Sequence, residues 1–215
     1  MHALQNLSDW SSGTTAQEVD LDPAPGDAIR SWTDEDLVNY VSRRLDKFDA
    51  DDPGLANRSL VAYTHSSRDA EHAFTTMTTD VRVTCGNNRL AALAAQTLRS
   101  PVYRYGVTST PSRGAHALNT EFAAKYAFHG WDVYAFFGTY DMIMSDHSES
   151  DERFSATLQD NFLFFGKSGK PRDPKWLPYP EKVALIGERL QINSTYNSQQ
   201  CSNLWRGYFK YSWTN

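Results

Sequence analysis

Cysteine is scarce: Cys85 and Cys201 are the only two in 215 residues. That excludes a disulfide-dense scaffold and any four-cysteine zinc site, and leaves one long-range bridge open. Long apolar runs are missing as well. No stretch approaches the roughly 18 residues a membrane span requires, and Met1 to Gln5 has neither the basic start nor the apolar core of a signal peptide. Lysine and arginine nowhere form a run of five or more, and 21 of them against 26 acidic residues give a formal charge of −5. Nucleic acid, which is held by clustered cations, is therefore not an expected partner. The motifs G-x-G-x-x-G, H-E-x-x-H and G-x-S-x-G do not occur, so no dinucleotide fingerprint, helical zinc site or nucleophile elbow lies within these residues. Gly166-Lys167-Ser168-Gly169-Lys170 imitates the end of a phosphate loop, but the first glycine of that motif would fall on Asn161, and the segment closes a helix rather than opening one.

What is present is enough for a core. Apolar residues make up 40% of the chain and aromatics 13%, well above a disordered composition, and the length fits one domain or two small ones. The first thirty residues, with Ser11-Ser12-Gly13-Thr14-Thr15 and a Pro/Gly-rich stretch from Asp22 to Asp27, read as loop. Thr33-Asp34-Glu35-Asp36 is a capping box, and Leu37, Val41, Leu45 and Phe48 follow at helical spacing. A second helix is predicted from the turn at Asp49–Gly54 through Phe74, and a third over Asp80–Leu98 with Leu90, Leu93 and Leu98. Pro101–Val107 is the strongest strand, and Val183–Ile186 and Arg189–Ile192 form a weaker pair about Gly187. Phe154, Leu158, Phe162 and Phe165 mark a helix that stops at Gly169, and Cys201, Leu204, Trp205 and Phe209 mark a helical tail. Few strands and many helices amount to half of a parallel sheet.

Of six histidines, His2, His65, His72, His116 and His147 lie in polar surroundings with no partner at ligand spacing, so they are expected to be solvated, and no metal or cofactor is expected. His129 differs. It sits between Phe128 and Gly130 in an aromatic patch running to Gly138, where core packing and a functional role are both open readings. Sequons at Asn6, Asn57 and Asn193 matter only if the chain enters a secretory lumen.

Several of these segments resemble, in order, the type-B carboxylesterases and cholinesterases. Asp80 to Cys85 is similar to the family's D-x-x-x-x-C lead-in, Pro101-Val102-Tyr103-Arg104-Tyr105 to its P-V-Y-x-Y strand, and His129 to Gly138 to H-G-x-D/E-x-x-F-V-F-G. Phe162 to Pro171 resembles W-x-x-F-A-x-x-G-x-P, Trp176-Leu177-Pro178-Tyr179 resembles W-P-x-Y, and Cys201 to Trp205 resembles C-x-F-W. The resemblance implies the C-terminal part of an α/β-hydrolase fold, helix-rich with the last few strands of the central sheet, spanning residues 1–215. It also implies a triad in the chain order Ser, Glu, His. His129 matches the catalytic histidine. Gly13-Thr14-Thr15-Ala16-Gln17-Glu18 is similar to G-T-x-x-x-E-G and places Glu18 as the acid, although Val19 stands where the family has glycine and Asp20 remains the alternative.

The family's serine and oxyanion-hole glycines lie before the acid, ahead of anything in this chain. The expectation is a C-terminal fragment of a serine carboxylic-ester hydrolase, inactive alone. Its partners would be a small ester substrate and the N-terminal part of the domain. The alternatives are a non-catalytic cholinesterase-like adhesion or interaction protein and a free-standing binding module. Trp131, Tyr134 and Phe136 are candidate walls of an apolar acyl or alcohol pocket, with core as the competing role. The resemblance further implies a Cys85–Cys201 disulfide, a secreted or extracellular location, and glycosylation at the sequons.

Overall fold

Four strands form one mixed sheet in the computed structural model: β1 (Trp10–Thr15), β2 (Val102–Val107), β3 (Val183–Ile186) and β4 (Leu190–Asn193), side by side in that order. The structure describes residues 10–21, 23–48, 51–117, 122–194, 196 and 199–207. β1, β2 and β3 run parallel, and β4 returns antiparallel. Parallel neighbours need long crossovers, and helices supply them. Between β1 and β2 lie α1 (Asp34–Leu45), α2 (Leu55–Thr64), α3 (Ala70–Thr79) and α4 (Cys85–Thr97), and between β2 and β3 lie α5 (Trp131–Phe137) and α6 (Glu149–Ser168).

β1 corrects the reading of the first thirty residues as loop. A Trp-Ser-Ser-Gly-Thr-Thr segment carries almost no strand signal of its own, because its pairing is decided by β2. Gly13 lies opposite Tyr105, whose ring covers the glycine so closely that a Cβ there would sit 1.9 Å from Tyr105 Cζ. Only glycine leaves room for that ring.

The capping box forms as read: Thr33 Oγ1 accepts from the Asp36 N–H at 3.2 Å, and the Asp36 carboxylate accepts from the Thr33 N–H at 2.9 Å. Leu37, Val41 and Leu45 are buried, and Phe48 packs from a following 3-10 turn. The single helix expected up to Phe74 is two helices, because Asp69 caps α3 by accepting the His72 N–H at 2.8 Å. α3 and α4 are joined by a π-turn over Asp80–Thr84. Leu90 and Leu93 are exposed and contribute nothing to the core, because α4 turns its small side, Cys85 and Ala91, inward. α6 ends at Gly169 in the left-handed region, φ 70°, as the helix-stop reading required.

Two apolar clusters follow. Tyr103, Val107, Ala184 and Ile186 of the sheet pack with Trp131 and Ala135 of α5 and with Phe154 and Leu158 of α6. Helices α1 to α3 make a second cluster, closed by Cys85, Leu204 and Trp205. Cys85 and Cys201 are bonded, with Cα atoms 5.1 Å apart. The bond fastens the short π-helical turn Gln200–Leu204 to the head of α4. Trp205 Nε1 then donates to Tyr63 Oη at 2.8 Å, and Tyr63 donates to Asp80 at 2.7 Å. Cross-linking residues 116 apart stabilises by about 4 to 5 kcal/mol at most on the chain-entropy account. Asn6 and Phe209 lie outside the described residues.

Gly13→Ala is expected to lower the melting temperature through a clash costing about 1 to 3 kcal/mol. Combined with Tyr105→Ala, the loss should be smaller than the sum of the two single losses. A Gly13→Ala chain melting with the parent would refute the close approach.

Candidate active site

The site forms where β1 ends. The chain leaves Thr15, passes Ala16 and Gln17, and enters a 3-10 turn over Glu18–Leu21. The Thr15 N–H donates to Glu18 Oε1 at 2.7 Å, which fixes the carboxylate relative to the strand end. On the other side, residues 122–129 run into Gly130, whose φ of 81° opens α5. Phe128 is fully buried and anchors this loop, and the next residue, His129, turns outward.

The His129 N–H donates to the Glu18 carbonyl at 3.2 Å. Glu18 Oε2 lies 2.7 Å from His129 Nδ1. The glutamate side chain is 10% exposed and the histidine 74%. Nδ1–H therefore donates to a carboxylate that is shielded and already oriented by Thr15, and this arrangement leaves Nε2 as the lone-pair nitrogen facing outward. Such a pair can accept a proton at Nε2 and stabilise the imidazolium that results.

Asp20 faces away from the imidazole. It is fully buried, and its Oδ2 accepts the N–H groups of Lys125 at 2.7 Å and Tyr126 at 2.8 Å. Burial raises its pKa to about 6, against the opposing pull of those two N–H groups and of the Arg30 and Lys125 cations. Of the two acids in question, Glu18 is the one beside His129. Val19, in the place of the family's glycine, is accommodated with its N–H donating to Thr79 Oγ1 at 3.3 Å.

An apolar cleft of about 320 Å³ is lined by Tyr105, Asp132, Val133, Phe136, Phe137, Leu158 and Phe162. Of the three aromatics read as candidate walls, Phe136 is among the lining residues and Trp131 and Tyr134 are not. Trp131 is fully buried in the core between Phe128, Tyr140 and Phe154, and Tyr134 and Phe136 both pack against the same cluster. The helical period decides this, since 131 and 135 share the inward side of α5 and 132, 133 and 136 share the other. Asp132 was not singled out by sequence, although it stands at the D/E position of the H-G-x-D/E pattern. Tyr105 Oη donates to its carboxylate at 3.3 Å. Its pKa is raised, first by burial and then by the negative charge of Glu18. His72 also departs from expectation. It is half-buried, packs edge-on against Tyr126, and has its pKa lowered by burial.

The sequence model of the carboxylesterase family matches residues 17–205. The chain belongs to the carboxylesterase family. A protein of Dictyostelium discoideum named Crystal protein is 28% identical over 115 residues, 53% of this chain and 20% of its own length. Among solved structures, a PNB esterase superposes with a TM-score of 0.57 at 20% identity, over 90% of this chain and 37% of its own. A thermophilic PNB esterase gives 0.58 at 20% identity, over 91% and 38%. The sheet order and helix placement are those of the α/β-hydrolase fold. The chain thus spans well under half the length of each of these relatives.

Asp20 gives this member of the carboxylesterase family a pH signature. The folded chain keeps the proton up to about pH 6 and the unfolded chain releases it near the ordinary 3.8. Stability is therefore lost as pH rises between those values, by no more than about 3 kcal/mol. Asp20→Asn should remove this slope, so its melting temperature should gain on the parent's from pH 4 to 6 and hold the difference above. Parallel melting curves across that range would refute it.

Proposed function

We propose that this chain supplies the acid and the base of a serine carboxylic-ester hydrolase, Glu18 and His129, to a site whose serine and oxyanion donors come from outside these 215 residues. The observation that carries the reading is the shielded Glu18 carboxylate 2.7 Å from Nδ1 of a histidine whose Nε2 faces outward. Membership of the carboxylesterase family supports it. In the reaction, Nε2 takes the proton of the serine hydroxyl as its oxygen attacks the ester carbonyl. It then delivers that proton to the alkoxide leaving group as the ester C–O bond breaks, and Glu18 stabilises the imidazolium in between. A water repeats the sequence to free the acid and the serine. Phe136 and the cleft beside Asp132 would hold an apolar acyl or alcohol group. The remainder of the domain would add at the edge of β1 that has no neighbouring strand among the described residues.

The Cys85–Cys201 bond favours an oxidising compartment and a secreted or extracellular protein. There, exposed Asn57 on α2 and half-buried Asn193 at the end of β4 would be glycosylation sites, with Asn6 a third. A second reading, a non-catalytic cholinesterase-like interaction protein, is favoured by the lack of G-x-S-x-G. The paired Glu18 and His129 count against it.

The test is hydrolysis of a short-chain nitrophenyl ester. The 215-residue chain and its His129→Ala variant should be equally inactive. Sequencing the transcript upstream of Met1 should find an in-frame G-x-S-x-G, and the polypeptide that includes it should lose about 10²- to 10⁴-fold in kcat on His129→Ala. His129-dependent turnover by the 215-residue chain alone, or an upstream stop codon, would overturn the proposal.

A further inference from the structure

The loop carrying His129 is laced to the turn carrying Glu18 along its length. The Gln17 N–H donates to the Ala127 carbonyl at 2.9 Å, and Gln17 Oε1 accepts the Ala127 N–H at 3.2 Å. Gln17 Nε2 holds Thr76 of α3 at 3.0 Å, and the His129 N–H reaches the Glu18 carbonyl. Two further bonds, from the N–H groups of Lys125 and Tyr126, end on a single oxygen of Asp20. Its other oxygen, Oδ1, is buried with no hydrogen-bond partner among the described residues. An acceptor could be had at lower cost. A buried carboxylate with one unsatisfied oxygen is destabilising where an amide would serve the fold as well, and local costs of this kind persist where geometry is needed.

We propose that Asp20 is the positioning residue of the histidine loop: by gathering the N–H groups of Lys125 and Tyr126 it sets Nδ1 of His129 against Glu18. Its role in catalysis rests on reading Glu18 and His129 as the acid and base. The charged and titratable groups around it come from every element packed there. Arg30 lies before α1, Lys125 and Tyr126 are in the loop, Glu71 of α3 is paired with both Arg30 and Lys125, and His72 of α3 lies against Tyr126. The two cations and the two N–H groups favour the ionised carboxylate, which makes the stronger, charge-assisted bonds. Protonation leaves Asp20 a weaker acceptor, so the histidine loop loosens as the pH falls through Asp20's titration.

The test reads the loop and the ring by NMR on the whole chain. In Asp20→Ala, hydrogen exchange at the Lys125 and Tyr126 amides should quicken about 10- to 100-fold. At one fixed pH, the His129 ring chemical shifts should also move toward those of a Glu18→Gln chain, in which those amides keep parent exchange. Asp20→Asn, which retains an acceptor oxygen, should recover part of both effects. A folded Asp20→Ala or Asp20→Asn chain whose His129 ring shifts superimpose on the parent's would overturn the proposal. The parent provides the measurement if the alanine variant fails to fold. Its His129 ring shifts should respond over the pH range in which the Lys125 and Tyr126 amide shifts report Asp20's titration, a response absent in Asp20→Asn, and amides that report it with no such response at the ring also overturn it. None of these readouts involves ester hydrolysis, so an inactive completed enzyme would count against the esterase reading alone.

Discussion

Parallel pairing of β1 with β2 is the constraint from which the site follows. The register runs from Trp10 opposite Val102 to Thr15 opposite Val107, and the Ala16 N–H continues it to the Val107 carbonyl at 2.9 Å. Two strands that run the same way finish at the same edge, so the turn after one and the loop after the other meet there. A slip of one residue would face Tyr105 with a side chain in place of Gly13 and move Glu18 along the edge away from residue 129. Arg104 guards against that slip. Fully buried in β2, it donates to the Ser12 carbonyl at 3.0 Å and Thr14 Oγ1 at 3.0 Å in β1, and to Asn88 Oδ1 at 3.1 Å in α4. Its planar fork fits one register, and every one of these acceptors is neutral, so burial lowers its pKa.

Beneath the site the same trade recurs. Glu71, almost fully buried in α3, joins Arg30 and Lys125, and the Lys125 bond is 2.9 Å. Buried ion pairs add little net stability, because desolvation offsets most of their attraction, but they tolerate few alternative arrangements. Here they tie the segment before α1 and the histidine loop to one point on α3. Specificity of placement is what this chemistry supplies, and it is concentrated under the two short segments that carry Glu18 and His129.

The sequence made some of this legible and hid the rest for physical reasons. Local signals were reliable where they act locally: the Thr33–Asp36 box, the apolar spacing of α1 and the Gly169 stop each depend on neighbours within a few residues. The Cys85–Cys201 bond and the proximity of Glu18 to His129 are long-range, and could be anticipated only through resemblance to the family. β1 was illegible because its polar residues pair only through β2, and Trp131 because an aromatic beside a functional histidine looks alike in sequence whether it lines a pocket or fills a core. Asp20, next but one to Glu18, stayed open as an alternative acid because its burial and its bonds to the Lys125 and Tyr126 N–H groups are long-range and leave no mark in the sequence.

Under the esterase reading, this division of labour has a kinetic meaning. The dyad needs nothing from a serine-bearing segment to take its shape, since Thr15, Gln17, Asp20 and the backbone of 125–129 already satisfy both partners. A catalytic group held in place before the nucleophile arrives has already given up its rotational freedom, and that entropy no longer burdens the chemical step. The cost appears instead as folding free energy, in the desolvated carboxylates of Asp20 and Asp132 and in the glycine that leaves room for Tyr105. Stability and site geometry therefore pull against each other at these positions, and substitutions that relieve the buried charge would firm the fold and slacken the histidine together.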